Sequence, residues 1–458
     1  MEEDIHDHLA SPLPSSKTRV KIEDKLNEAV DTAIERQSYD MAHNEDMLDV
    51  LSLVASFIQR KKRVCYGGTA MNAILPESLR FYSADKDLPD YDFYTPSLEE
   101  DVAALVADLK AAGYKDVHHK VGIHEGTKKI MVNYMPVADI SAIESDLFTI
   151  LFRRSILKDG IHYTDPDVLR MMMYLEMSRP KGMVSRWSKV FERLQLINKA
   201  FPIRGCGMGA ARGAARGGSH TIPQEIRKGI LEFIIENQRV LCNGGMNKLY
   251  EAGIRNGSVK FDISRPGPAV LFISPDPRAD AVALKAQLER SDIRMFLHKA
   301  RGEIVPERVE LRAGNQPICL LIKESACHAI NNIPLKDGRV ISVGNLEFLI
   351  TLYLSLDIFT THSKDVIGER VLCDVADFIR LSGENYKARY SMFPAFSLTC
   401  RGHQAGFASL LRAKALRIQH ERRAMGSTVP KRKTRKMRGA IAKKGGRVHR
   451  GSHTRSKK

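Results

Sequence analysis

The chain contains a repeat, and that repeat limits the folds open to it more than any other feature. Arg63-Val64-Cys65 leads into Gly67-Gly68, as Arg239-Val240-Leu241 leads into Gly244-Gly245. Phe93-Tyr94-Thr95-Pro96, followed by Asp101, Leu105 and Leu109, matches Phe272-Ile273-Ser274-Pro275 with Asp280, Leu284 and Leu288. Leu157-Lys158-Asp159-Gly160 matches Leu335-Lys336-Asp337-Gly338. Three anchors in one order, each displaced by about 178 residues, describe two copies of one unit.

Each copy reads as α/β (α+β). From Glu45, Met47, Leu51, Val54 and Ile58 recur at helical spacing, and Arg60-Lys61-Lys62-Arg63 closes that helix with charges suited to its C-terminus. Val64-Cys65-Tyr66 is a strand entering the Gly67-Gly68 turn. Tyr91 to Pro96 alternates as a strand, Ser97-Leu98-Glu99-Glu100 predicts a capping box, and Val102, Leu105, Val106 and Leu109 form the buried stripe of the helix that follows. Gly113 stands where a helix C-cap belongs, and Ile130 to Ile140 predicts one further strand, carrying Asp139.

This pattern divides the chain into an N-terminal segment (1–40) with only a weak signal for order, a first domain (41–203), a Gly/Arg-rich linker (204–222), a second domain (223–425) and a basic tail (426–458). The linker holds a G-x-G pattern, but it has neither the preceding strand nor the acidic ribose partner of a dinucleotide site. The net charge of +17 is concentrated in the tail, where Lys431, Arg432, Lys433, Arg435 and Lys436 are followed by Lys443, Lys444 and Arg447 without an acid among them. Such a segment lacks the apolar content to fold alone and suits nucleic acid, since each cation placed on a phosphate releases counterions. A solubility element or a nuclear-import signal fits the same charge.

Seven cysteines form no C-x-x-C pair, so the spacing suggests neither zinc nor a disulfide framework, and reduced, mostly buried thiols are expected. An acidic start, Met1-Glu2-Glu3-Asp4, and the lack of an apolar run of about 20 residues predict an intracellular protein with no membrane partner.

Chemistry enters at Pro89-Asp90-Tyr91-Asp92-Phe93. Carboxylates one residue apart on a strand point to one face, and Asp139 from a nearby strand makes three. Any two of them near 4 Å repel by roughly 4 kcal/mol at an effective dielectric of about 20, a repulsion that hard divalent cations offset. Oxygen-only ligands favour Mg2+ or Mn2+, and two such ions clamp the attacking and leaving oxygens of a phosphoryl displacement. The Gly67-Gly68-Thr69 turn lets backbone N–H groups approach a triphosphate, with a helix N-terminus behind it and the Thr69 hydroxyl beside it. No G-x-x-x-x-G-K-[ST] run supports a P-loop. The second copy gives an internal comparison: Ala269 and Leu271 stand where the first has Asp90 and Asp92, and Ala313 to Lys323 has no acid at all. The fold therefore does not need these acids, and the second copy is expected to be inert.

Tyr66-Gly67-Gly68-Thr69-Ala70-Met71-Asn72 with Pro89-Asp90-Tyr91-Asp92-Phe93-Tyr94-Thr95-Pro96 resembles the poly(A) polymerase catalytic subunits of large DNA viruses, within the DNA polymerase beta-like nucleotidyltransferase superfamily. The likeness spans about residues 45 to 200. It implies a nucleotidyltransferase fold with a mixed sheet, duplicated as a degenerate copy, and template-independent addition of AMP from ATP to the single-stranded 3′ end of viral mRNA. In that scheme Asp90 and Asp92 hold both ions, and Asp139 holds the one that activates the 3′ hydroxyl. Gly67, Gly68, Thr69 and Asn72 fall in the nucleotide-binding motif. Arg186, Lys189 and Arg193 lie near helical spacing; they either meet the triphosphate or make a solvated basic face. Tyr163 is a weaker candidate for adenine stacking. The segment from Gly68 to Asp90 is longer than in the superfamily, which leaves a loop, 76–88, without a role. Another terminal transferase (uridylyl or oligoadenylate) and a non-catalytic processivity subunit are the competing readings. A homodimer or a separate processivity factor, and a place in host cytoplasm, virion or nucleus, are left open.

Overall fold

The computed structural model describes residues 16–83, 85–203, 221–243, 267–302, 304–335, 337–360, 372, 373, 375–377, 379 and 396–424. Most of the linker (204–220), the Gly244-Gly245 pair, Lys336 and the basic tail lie outside the described residues.

Two mixed sheets carry the fold. The first is built from β1 (Val64–Tyr66), β2 (Tyr91–Thr95), β3 (Val117–Val121), β4 (Thr127–Val132), β5 (Met135–Ala142), β6 (Ile156–Lys158) and β7 (Ile161–Tyr163), in the order β3-β4-β5-β2-β1-β7-β6. The second is built from β8 (Val240–Leu241), β9 (Val270–Ser274), β10 (Ile293–His298), β11 (Arg308–Ala313), β12 (Gln316–Lys323), β13 (His328–Pro334), β14 (Val340–Gly344) and β15 (Cys400–Arg401), in the order β10-β11-β12-β9-β8-β14-β13-β15. Apart from β15 at one edge, the two orders are the same, strand for strand. The register repeats as well: Cys65 faces Phe93 and Tyr163, while Leu241 faces Phe272 and Val343. Even the bulge between Ile130 and Met131 recurs between Leu311 and Arg312. The internal repeat is thus a duplicated fold.

Local chemistry explains the supporting helices. Asn44 caps α2 (Glu45–Lys61), its side chain accepting the Met47 N–H at 2.9 Å. Glu45 and Asp46 then lie at the positive end of the helix dipole and Arg60 and Lys61 at the negative end, while Val50, Leu51, Val54, Phe57 and Ile58 are buried. The helix α4 (Leu98–Ala111) buries Val102, Leu105 and Leu109. Asp101 on its first turn is fully buried and takes Arg63 Nε at 2.6 Å and the Thr95 hydroxyl at 2.5 Å. The second copy keeps this arrangement on α9 (Pro277–Gln287), where Asp280 takes Arg239 Nε at 2.6 Å and the Ser274 hydroxyl at 2.5 Å. A buried carboxylate needs such partners, and each copy supplies them. The helices α6 (Pro166–Met177) and α10 (Leu346–Phe359) occupy equivalent places, follow β7 and β14, and pack on each other. Asp165 caps one and Asn345 the other.

Several expectations need correction. Residues 16–42, read from the sequence as only weakly ordered, form a helix, α1 (Ser16–Ala42). Ser97 makes no side-chain cap bond; instead its N–H donates to the Thr95 hydroxyl at 2.9 Å. The predicted strand from Ile130 to Ile140 is two strands, because Asn133 and Tyr134 both take positive φ and turn the chain between β4 and β5. Ile222, read as linker, already bonds Gly267 in the second half. Cys327 and Cys400 form a disulfide that ties β13 to β15, against the expectation of thiols throughout, and Cys373 is disulfide-bonded too; Cys65, Cys242 and Cys319 are free and buried. A bridge between residues far apart in the chain leaves no C-x-x-C mark. Among the described residues no helix is long and apolar enough to cross a membrane.

Candidate active site

The three aspartates lie close enough to act on one another electrostatically because β2 and β5 run parallel in one register. Asp92 is the direct partner of Asp139, and Asp90 sits just before β2. On the far side of β5, antiparallel β4 places Lys129 opposite Asp139, with its ammonium 2.6 Å from Asp139 Oδ1. On the far side of β2, Tyr66 is the partner of Asp92. A row therefore runs Tyr66, Asp92, Asp139, Lys129 across four strands. The equivalent positions opposite one another in the second sheet are Leu271, Leu320 and Glu310. Both leucines are buried, and Glu310 turns to Arg312 at 2.8 Å and His298 at 3.4 Å.

The glycine turn sits directly on this row. Gly67 opens α3 (Gly67–Ile74) with φ of +75°, and a Cβ there would collide with the Asp92 carboxylate. The Thr69 hydroxyl accepts the Asp90 N–H at 3.0 Å, which ties the turn to the start of β2. Burial, and then repulsion from Asp90 and Asp139, push the Asp92 carboxyl up to about 7. Burial and Asp139 raise Asp90 in the same way, while Lys129 opposes the shift in both. A half-buried carboxyl raised this far, beside two others, is a candidate functional group.

The basic residues read from the sequence face it. Arg186 lies in a short turn before α7 (Trp187–Ala200), and Lys189 and Arg193 lie on that helix. Arg186 acts electrostatically on Asp92 and Lys189 on Asp90, and Arg193 Nη1 lies 2.9 Å from the position of a Cβ on Gly68. Arg186 also pairs with Glu176 at 3.3 Å. Two residues expected at the nucleotide also serve the fold. Tyr163 is a core residue on β7, only 7% exposed, so its ring has no open face for a base. The Asn72 side-chain oxygen accepts the N–H groups of Phe81 and Tyr82 at 2.8 and 3.0 Å, so Asn72 pins the loop 76–88. Lys129, Phe81 and Tyr82 are the residues that sequence reasoning missed. Only strand register shows that Lys129 belongs to the site.

Whether this donor set fits a divalent ion follows from its chemistry. Three carboxylates without Cys or His are hard oxygen ligands, and the raised carboxyls of Asp90 and Asp92 would be relieved by positive charge. Among the described residues no three acidic, His or Cys side chains are already gathered for an ion. Asp139 is turned to the Lys129 ammonium, a partner that it would have to share or exchange.

Residues 52–183 match a profile of the poly(A) polymerase catalytic subunit family. The likeness to viral poly(A) polymerase catalytic subunits holds. A protein of Acanthamoeba polyphaga mimivirus, provisionally named as such a subunit, is 33% identical over 159 residues, which is 34% of this chain and 26% of that one. One of African swine fever virus, under the same provisional name, is 28% identical over 159 residues, 33% of each chain. The chain thus aligns with about a quarter to a third of the length of these relatives. The crystal structure of the Megavirus polyadenylate synthase superposes with a TM-score of 0.69 over 93% of this chain and 87% of that one, at 19% identity. The fold of that viral synthase is therefore shared over most of this chain, whereas the sequence likeness to the poly(A) polymerase family covers residues 52–183, where all three aspartates lie.

Proposed function

We propose that the chain is a template-independent polynucleotide adenylyltransferase that extends the 3′ end of single-stranded RNA, viral mRNA in particular, with AMP taken from ATP. The observation that carries this reading is the row of Asp92 and Asp139 in register beneath the Gly67-Gly68 turn, where the duplicated sheet has leucines at the equivalent positions. A fold that keeps its buried structural acids in both copies, Asp101 and Asp280, but its site acids in one, has kept the latter for chemistry.

Asp90, Asp92 and Asp139 would hold Mg2+ or Mn2+, which when bound lowers the pKa of a coordinated hydroxyl and neutralises phosphate charge. The chain's own groups do the rest. The N–H groups of the glycine turn and the start of α3 seat the triphosphate. Arg186, Lys189 and Arg193 draw it in and stabilise the pyrophosphate that leaves when the 3′ oxygen bonds to the α-phosphorus. Asp92 is half-buried in the sheet, which strengthens these interactions relative to open water. The basic tail, including Lys431, Arg432, Lys433, Arg435 and Lys436, would hold the RNA by its phosphates.

The test incubates the purified chain with labelled single-stranded RNA, magnesium and each nucleoside triphosphate in turn. Extension with ATP, abolished by Asp90→Ala, is expected. Preference for UTP would make it a uridylyl transferase. Equal extension by the Asp90→Ala chain would remove the site assignment, and RNA binding without extension would leave a processivity subunit.

A further inference from the structure

The loop 76–88, which the family motif does not require, is built into the site by one side chain. Asn72 on α3 accepts two consecutive backbone N–H groups, from Phe81 and Tyr82, and so fixes both rings to the helix that the glycine turn opens. The rings meet edge to face with centroids 4.7 Å apart. Arg193 reaches over from α7: its guanidinium carbon lies 4.6 Å from the Phe81 centroid and 5.3 Å from that of Tyr82, and Nη2 donates to the Tyr82 hydroxyl at 2.7 Å. A Cβ on Gly68 would meet Tyr82 Oη at 2.7 Å and Arg193 Nη1 at 2.9 Å. The hydroxyl and the guanidinium thus both stand against the backbone where a triphosphate would be cradled.

We propose that Tyr82 is a positioning residue that locks the Arg193 guanidinium against the Gly67-Gly68 turn, where Arg193 grips the β- and γ-phosphates of the incoming nucleoside triphosphate. This rests on the turn being the nucleotide seat. An unrestrained arginine spreads over many rotamers, and ordering it at the moment of binding weakens affinity. Here two aromatic faces and one hydrogen bond order it beforehand, and Nη1 is left toward the turn.

The experiment measures binding of magnesium-ATP and of AMP to the full chain by calorimetry, for the unmodified protein, Tyr82→Phe, Arg193→Ala and the double variant, with Tm recorded for each. Arg193→Ala is expected to weaken ATP by roughly 10- to 100-fold, as for loss of a charge-assisted phosphate contact, and to leave AMP unchanged. Tyr82→Phe should weaken ATP by about 3- to 10-fold, also without effect on AMP, and the double variant should bind like Arg193→Ala alone, because Tyr82 works through the arginine. Tyr82→Phe binding ATP as tightly as the unmodified chain, losing ATP and AMP alike, or adding fully to Arg193→Ala would each overturn the lock. An unmodified chain that binds no ATP would instead overturn the reading of the turn, and the lock with it.

Discussion

The two halves of the molecule solve the same folding problem and differ at one row of residues. Strand order, register, the bulge, the Arg–Asp pair under the sheet and the helix that follows the last hairpin are common to both. Across the centre of the sheet the first half places Asp92, Asp139 and Lys129, and the second places Leu271, Leu320 and Glu310. Leucine on adjacent strands stabilises by apolar burial, whereas neighbouring carboxylates repel and lose hydration. The first half is therefore less stable at this row than its own twin shows it could be, a pattern expected of a working site.

The largest expected effect breaks that trade. Asp92→Leu, which copies the second half, should lower RNA extension by about 10³-fold or more, roughly 4 kcal/mol, without lowering Tm. The reciprocal Leu271→Asp should gain no activity and should destabilise the chain by several kcal/mol, because it buries a carboxylate with no partner. Loss of Tm by Asp92→Leu in thermal unfolding would mean that the acid serves the fold after all. Next, Arg239→Ala should cost about 3 kcal/mol in denaturant unfolding, since it takes the arginine from a buried aspartate, and Arg63→Ala should cost less, because Lys61 stays 3.6 Å from Asp101. A larger loss for Arg63→Ala than for Arg239→Ala would show that Lys61 does not compensate.

The pH dependence sharpens the comparison further. Asp92 titrates near 7 when folded, well above an unfolded carboxylate, so between about pH 4 and 7 the folded state binds the extra proton. Stability in the absence of metal should fall as pH rises through that window, by about 2 kcal/mol once partial exposure is allowed for, and Asp92→Asn should flatten the fall. A rise in stability over the same window in unmodified chain would contradict the raised carboxyl. Smallest is Lys129→Met, which removes the ammonium from Asp139 and should tighten Mn2+ binding by about tenfold, roughly 1.4 kcal/mol, in a calorimetric titration. Weaker Mn2+ binding would mean that the lysine helps to build the ion site.

Much of this contrast was readable from residue order, because the repeat, the Gly-Gly turn and D-x-D are local patterns, and a period-2 strand sends Asp90 and Asp92 to one face without reference to the rest of the chain. What needed the structure was long-range pairing. Lys129 enters the site only when the chain turns at Asn133 and Tyr134, and that turn uses no glycine, so Ile130 to Ile140 reads as one strand. Tyr163 reads as a weaker candidate for adenine stacking, and its burial on β7, paired with Cys65, shows only in the folded sheet. Asn72 falls in the nucleotide-binding motif, and its hold on the loop leaves no sequence mark because its partners lie 9 and 10 residues downstream in a stretch without periodicity. The Cys327–Cys400 bridge spans 73 residues, a separation that carries no local signal.

Whether Asp90, Asp92 and Asp139 hold ions is measurable with Mn2+, without relying on turnover. Electron paramagnetic resonance of the full chain with a non-reactive ATP analogue should show two bound Mn2+, with at least one lost in Asp139→Asn and none lost in a control such as Asn332→Asp in the second half. Retention of both ions by the Asp139→Asn chain, or no bound Mn2+ in the unmodified one, would contradict the account.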